Sequence, residues 1–198
     1  MRPILMLEGV RDLHDARYCA AIGIGLLGFQ LEGEHALKPA AIKEIVDWLS
    51  GPEAVGDFGF SPANAITEIA TAASLSRLRV SANYALEEAA ALALPIIFDA
   101  QDGTEADRLV MLAKRFPNAV IELSATNAAQ MAAMTDANLI SRCLLRCDAP
   151  DAVWKSLKQA GMQPFGFILG AFTEDKEGLL DYDVCDDFVE KYDELVPA

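Results

Sequence analysis

The sequence predicts an α/β fold, a small (βα)8 TIM barrel, on three observations. Short β-branched or aliphatic runs alternate eight times with amphipathic stretches roughly ten to fourteen residues long. The first turn, Glu8-Gly9-Val10-Arg11-Asp12, holds one glycine, where an open dinucleotide-binding sheet would carry a glycine-rich loop. No linker, low-complexity segment or charge block divides the chain, so residues 1–198 read as a single barrel domain, long enough to bury a sizeable core.

The elements follow in order. The first strand runs from Ile4 to Val10. Asp12 caps a helix that carries Asp15 in its first turn and is stopped near Ile22 by Gly23 and Gly25. Leu26 to Leu31 is the second strand; its helix starts after Lys38-Pro39, with proline in the first turn, and ends near Ser50-Gly51-Pro52. The third strand is Ala54 to Phe60, and Ser61-Pro62 opens a helix to about Ala73. Leu78 to Ala82 and Leu86 to Leu92 make the fourth pair. Pro95 to Asp99 is the fifth strand, and Asp102 with Glu105 resembles a capping pair for a helix to Phe116. Ala119 to Ser124 precede a helix through Met134, Cys143 to Cys147 precede one from Pro150 to Ala160, and Phe165 to Gly170 precede one from Tyr182 to Leu195.

Composition narrows the function classes. The chain is 53% hydrophobic and 23% charged, which is globular and not disordered. Its formal charge of −14, with no basic stripe, opposes nucleic acid and anionic membrane surfaces. The longest apolar run, Ile22 to Phe29, is too short to span a bilayer, and the apolar start is cut by Glu8, too early for a signal-peptide core. Four cysteines (Cys19, Cys143, Cys147, Cys185) without a CxxC pair make no disulfide framework, so a reduced, cytoplasmic protein is expected. The acidic final quarter reads as a solvated helix face.

Barrels of this kind carry chemistry at the C-terminal ends of their strands. Those ends supply Glu8, Gln30 and Glu32, Asp57, Ser81 and Asn83, Asp99, Glu122 with Ser124, Arg146 with Asp148, and Thr173 with Glu174. Several carboxylates at one mouth can shift each other's proton affinity and provide a general acid and base. Glu8 is the sharpest candidate, because it follows an apolar strand and precedes a glycine; the alternative is a carboxylate satisfied by Arg146 or by backbone amides. A phosphate cradle would need glycine-bearing seventh and eighth loops. The seventh, Leu145-Arg146-Cys147-Asp148-Ala149-Pro150, has no glycine. The eighth, from Gly170 to Gly178, has three acids that oppose an anion, partly offset by Arg146 and Lys176. His14 and His35 are too far apart in the chain to suggest a metal pair, and Cys143 with Cys147 read as buried small hydrophobes on one strand face.

Laid out this way, the chain resembles phosphoribosylanthranilate isomerase, a barrel enzyme of tryptophan biosynthesis. Leu7-Glu8-Gly9-Val10-Arg11-Asp12-Leu13-His14-Asp15-Ala16 falls on that family's K-x-C-G-[IV]-[TR]-x-x-x-D-A opening, and Gly23 to Phe29 on its G-A-D-x-x-G-F second strand. Lys38 to Ile45 matches the following helix, and Ala54-Val55-Gly56-Asp57-Phe58-Gly59 the third strand. Gly166 to Gly170, then Glu174 through Asp181, overlay the last-strand motif and keep Glu174, Gly178 and Asp181. The resemblance implies an acid–base isomerase with the motif cysteine as base and a sixth-strand aspartate as acid. The departures fall on those positions. Glu8 stands for the cysteine and Met6 for the lysine; Glu122 or Ser124 stands for the acid; and Arg146, Asp148 and Gly170-Ala171-Phe172 replace the phosphate loops.

The expected protein is therefore a divergent member of this family, a pseudoenzyme with respect to the isomerase reaction. It would bind a small polar ligand, with a sugar phosphate among the candidates, through Asp57, Arg146, Asp148, Gly170 and Thr173, with Glu8, Glu122 and Asp99 as its reactive carboxylates. One alternative is an active isomerase with Glu8 as base and Glu122 as acid; the other is a non-catalytic interaction protein. No cofactor and no metal are expected, and the protein is expected as a monomer or homodimer.

Overall fold

A computed structural model of the chain describes residues 2–100, 103–147, 150–169 and 180–196. In chain order the elements are β1 (Ile4–Leu7), α1 (Leu13–Ala21), β2 (Leu26–Gln30), α2 (Pro39–Asp47), β3 (Glu53–Asp57), α3 (Ala63–Ala72), β4 (Arg77–Ser81) and α4 (Leu86–Ala91). They continue as β5 (Ile96–Asp99), α5 (Ala106–Arg115), β6 (Val120–Ser124), α6 (Ala128–Asp136), a 3-10 turn (Ile140–Arg142), β7 (Cys143–Cys147), α7 (Pro150–Gln159), β8 (Gly166–Leu169) and α8 (Tyr182–Leu195). The strands are parallel and close into a barrel in sequence order, each pairing with the next and β8 with β1. This is the expected (βα)8 architecture.

Local chemistry sets most boundaries. Asp12 accepts the Asp15 amide at 2.9 Å to start α1, Pro39 occupies the first turn of α2, and Asn127 accepts the Gln130 amide at 3.2 Å to start α6. Asp181 accepts the Asp183 and Val184 amides to start α8. The fifth helix departs from expectation. Glu105 is itself the boundary residue and makes no side-chain cap, whereas a capping box needs its acid three residues inside the helix; Asp102 lies outside the described residues. Strand ends are shorter than the apolar runs suggested. β1 stops at Leu7 because Gly9 adopts φ +72, a left-handed turn, although the Val10 amide still reaches the Gly28 carbonyl at 3.0 Å.

The strands are buried on both faces, so apolar residues run almost continuously along them. Outward-facing Leu5, Leu7, Phe29, Leu78, Val80, Phe98, Leu145 and Phe167 meet the helices in the main core, together with Cys143 and Cys147, which pack as small hydrophobes as their spacing suggested. Inward-facing Met6, Leu26, Val55, Ile97, Val120, Leu144 and Ile168 fill the barrel itself. Each such aliphatic side chain withdrawn from water contributes about 1.5–3 kcal/mol.

The pairing register sorts the interior into layers of four, drawn from alternate strands. Met6, Val55, Ile97 and Leu144 form one layer, entirely apolar. One step toward the C-terminal strand ends lie Gly28, Arg79, Glu122 and Ile168; one step further lie Glu8, Asp57, Asp99 and Arg146. The barrel interior thus changes from hydrocarbon to charge within two layers.

At the opposite, N-terminal end, Arg142 turns its guanidinium onto backbone. It donates to the carbonyls of Ala113, Phe116 and Ala119, and so caps the C-terminus of α5. Arg77 pairs with Glu53 at 2.5 Å and lies over the Phe165 ring. The seam where the ring closes is held by several contacts. Gly166 lets β8 lie against β1, since a Cβ there would run into the Ile4 carbonyl. The Tyr192 hydroxyl donates to the Pro3 carbonyl. Tyr182 donates to Asp15 at 2.7 Å and Tyr18 to Asp186 at 2.6 Å, which ties α8 to α1. Among the described residues, no helix is long and apolar enough to cross a membrane.

Candidate functional site

The two charged layers form a single ion network at the C-terminal mouth. Arg79, on β4, projects inward because it shares strand parity with Asp57, its neighbour on β3. Its guanidinium grips Glu122 in a fork, Nε to Oε2 at 2.7 Å and Nη2 to Oε1 at 2.9 Å. Nη1 donates to Asp57 at 2.8 Å, and Nη2 also lies 2.9 Å from both Glu8 and Asp99. A second guanidinium sits above. Arg146 holds both oxygens of Glu8 at 2.7 Å and reaches Glu122 at 2.5 Å. Such forked, charge-assisted contacts are the strong class of protein hydrogen bond.

Depth grades the network. The side chains of Glu122 and Arg79 are 1% and 8% exposed, while those of Glu8, Arg146 and Asp57 are 25%, 31% and 36% exposed. Four carboxylates against two guanidiniums leave a net negative ring. Burial by itself would raise the Glu122 carboxyl, but Arg79 and then Arg146 outweigh it and hold the group below the usual carboxylate range. Burial opposes charge on Arg79, yet Glu122, Glu8 and Asp57 keep it protonated well above its ordinary value. Arg146 is held protonated in the same way, burial being overcome by Glu8 and Glu122. Asp57 goes the other way. Burial raises it above its ordinary value; Arg79 pulls it down, while Glu8 and Glu122 add to the rise.

The structure brings together five of the residues singled out from sequence, Glu8, Asp57, Asp99, Glu122 and Arg146, and realises the pairing of Glu8 with Arg146. Asp148, Gly170 and Thr173 lie outside the described residues, as do Glu174 and Lys176. Of the remaining strand-end residues, Ser124 bonds Thr126 at 2.8 Å and Ser81 accepts the Asn83 amide at 3.1 Å; both serve local turns. Glu32 accepts the Gly59 amide at 2.9 Å and braces one loop against another. His14 sets its ring edge against Tyr182, 5.9 Å between centroids. Among the described residues, no group of three or more His, Cys, Asp or Glu is arranged to hold a metal.

Arg79 is the residue that sequence reasoning missed. Reading only the last strand positions gave Ser81 and Asn83. The available signal was alternation: Arg77-Leu78-Arg79-Val80-Ser81 places arginines at the inward positions of a strand whose outward positions are aliphatic.

No protein-family model matches this chain, and no curated protein sequence matches it. Solved structures do. Phosphoribosylanthranilate isomerase from Thermus thermophilus is 20% identical, with a TM-score of 0.77 over 98% of this chain and 100% of that one. Another phosphoribosylanthranilate isomerase, in complex with reduced 1-(o-carboxyphenylamino)-1-deoxyribulose 5-phosphate, is 18% identical with a TM-score of 0.78 over 98% and 100% of the two chains. KGPDC from Streptococcus mutans is 9% identical with a TM-score of 0.72 over 98% and 99%. At such identities the likeness is one of fold, and it agrees with the resemblance carried by the terminal motifs. Two differently named proteins share this fold, so the reaction must be argued from the site.

Proposed function

We propose that this chain is a phosphoribosylanthranilate-isomerase-like barrel without the isomerase activity, whose C-terminal mouth binds a small polar ligand bearing hydroxyl or amino groups. The observation that carries this reading is the engagement of Glu8 and Glu122 by Arg79 and Arg146. An acid must hold a proton at working pH, and Glu122 is held below the carboxylate range. A base must have a lone pair facing its substrate and must gain by taking up a proton; three guanidinium contacts on Glu8 use most of its acceptor sites and favour its charged form.

Charge supports the same reading. The ligand in the related isomerase complex carries, by name, a carboxyphenyl group at one end and a sugar 5-phosphate at the other, an anion at two ends. The described mouth is net negative, and its guanidiniums are committed to carboxylates, so an anion would have to displace them. A sugar phosphate is accordingly the weakest of the small-molecule candidates. The described residues fill the mouth with charge and not with an apolar plug, which favours a ligand site over a bare scaffold.

The test is turnover of phosphoribosylanthranilate by the purified protein, together with rescue of a tryptophan auxotroph. Neither is expected. Rescue that Glu8→Ala abolishes would overturn the reading and restore the isomerase, with Glu8 as base and Glu122 as acid.

A further inference from the structure

We infer that Arg79 is a resident ligand of this barrel: the mouth is a binding site for a planar cation, occupied by the protein's own guanidinium. The inference rests on reading the mouth as a ligand site and not as an isomerase site. It adds the residue that decides what the mouth accepts.

Three features distinguish this arrangement from an ordinary ion pair. First, carboxylates on β3, β5 and β6 and just after β1, Asp57, Asp99, Glu122 and Glu8, converge on one guanidinium at 2.7 to 2.9 Å. A stabilising pair needs one partner; four partners surround the group as a pocket surrounds a ligand. Second, the contacts use the planar fork. Nε and Nη2 address the two oxygens of Glu122, while Nη1 addresses Asp57. A point charge on a flexible stem would not satisfy that geometry. Third, Arg79 shares its layer with Gly28, which has no side chain, and Ile168, which has no polar atom, so Glu122 is its single polar neighbour at that depth. The layer is built to take one cation of this shape.

The consequence is specificity. A tethered guanidinium competes at a very high effective concentration, so free cations find their place taken. Anions meet carboxylates whose counter-charges are already committed. Arg79 is thus a specificity-determining residue: it leaves uncharged hydroxyl- or amino-bearing ligands as the class that the unmodified mouth accepts, and its removal should open the mouth to planar cations.

The experiment is a titration of methylguanidinium into the full-length Arg79→Ala variant and into the unmodified protein, followed by amide NMR shifts. Sodium chloride and tetramethylammonium, a cation that cannot donate hydrogen bonds, serve as controls. Saturable binding to Arg79→Ala, at least about tenfold tighter than to the unmodified protein and weakened roughly tenfold again by adding Glu122→Gln, is expected from loss of forked charge-assisted contacts. Should Arg79→Ala fail to fold unaided, methylguanidinium at millimolar concentration is expected to restore its cooperative melt where tetramethylammonium does not. A variant that binds or is rescued equally by both cations, that responds to neither, or that binds no better than the unmodified protein overturns the inference. Isomerase turnover by the unmodified protein would remove the functional proposal on which the inference rests, whereas failed binding removes the resident-ligand role alone.

Discussion

The two halves of the barrel interior solve the same packing problem with opposite chemistry. In the N-terminal half, Met6, Val55, Ile97 and Leu144 fill the space with hydrocarbon that asks nothing of its neighbours but shape. In the C-terminal half, Arg79, Glu122, Glu8, Asp57, Asp99 and Arg146 fill a similar space with charge that is tolerable only while every member is present. The first solution contributes stability directly. The second offsets a desolvation cost and returns a fixed arrangement of dipoles and charges, which is what recognition requires. Stability and the proposed recognition are therefore stacked along one axis, in neighbouring layers.

That contrast can be broken most forcefully at Arg79. Arg79→Met is expected to cost about 3–5 kcal/mol at pH 7, because it strands buried carboxylates. The loss should shrink at pH 4, where those carboxylates can protonate; urea unfolding at the two pH values measures it. An equal loss at both would mean that packing, and not charge, holds the mouth. Ile97→Ala, one layer below, should cost about 3 kcal/mol through lost burial and a residual cavity, and the cost should be the same at both pH values. Arg142→Met is expected to cost about 2 kcal/mol, since carbonyls of Ala113, Phe116 and Ala119 lose a charged donor without any carboxylate being exposed. Lys43→Ala removes only an exposed i,i+4 pair with Asp47 and should shift stability by about 0.3–0.5 kcal/mol.

The pH dependence of the intact protein sharpens the same comparison. Glu122 is depressed in the folded state, so its contribution is present above the ordinary carboxylate value of about 4.3 and is lost as pH falls through its folded value. Asp57 is raised, so it costs stability at neutral pH, and that cost fades as pH falls through its raised folded value toward about 3.9. Glu122→Gln should consequently be less stable at pH 7 yet lose less on acidification to pH 3. A variant with an unchanged acid profile would remove Glu122 as the pH-sensing member of the ring.

The barrel was legible in the sequence because alternation, proline at the start of α2 and the Asp12 cap are local signals. Strand ends were less so. Apolar runs continue past the last paired residue, as from Leu7 to Val10, where only the left-handed backbone at Gly9 marks the stop. At the mouth, acids at strand ends stood out because the barrel topology sends those ends to one place. Arg79 did not, because its role depends on Glu122 of β6 sharing its height and on Glu8, Asp57 and Asp99 lying one layer above. Height is set by the stagger of the strands, which no single segment encodes. The freedom of Glu8 was equally invisible: the sequence left open whether it was a base or a neutralised carboxylate, and a contact with Arg146 across a separation of 138 residues settles its pairing.

The seam between β8 and β1 carries a kinetic consequence. It joins the two extremes of the chain, with Tyr192 and Pro3 separated by 189 residues, so its loop-closure entropy is the largest in the molecule. Neighbouring βα units can associate early, but this pairing is expected to form late and to limit the folding rate. Glu8 follows directly on β1, whose second edge this last step pairs. The charged mouth is therefore completed by the same event that ends folding, and a chain stalled just short of it would keep Glu8, beside β2, apart from Arg146 on β7.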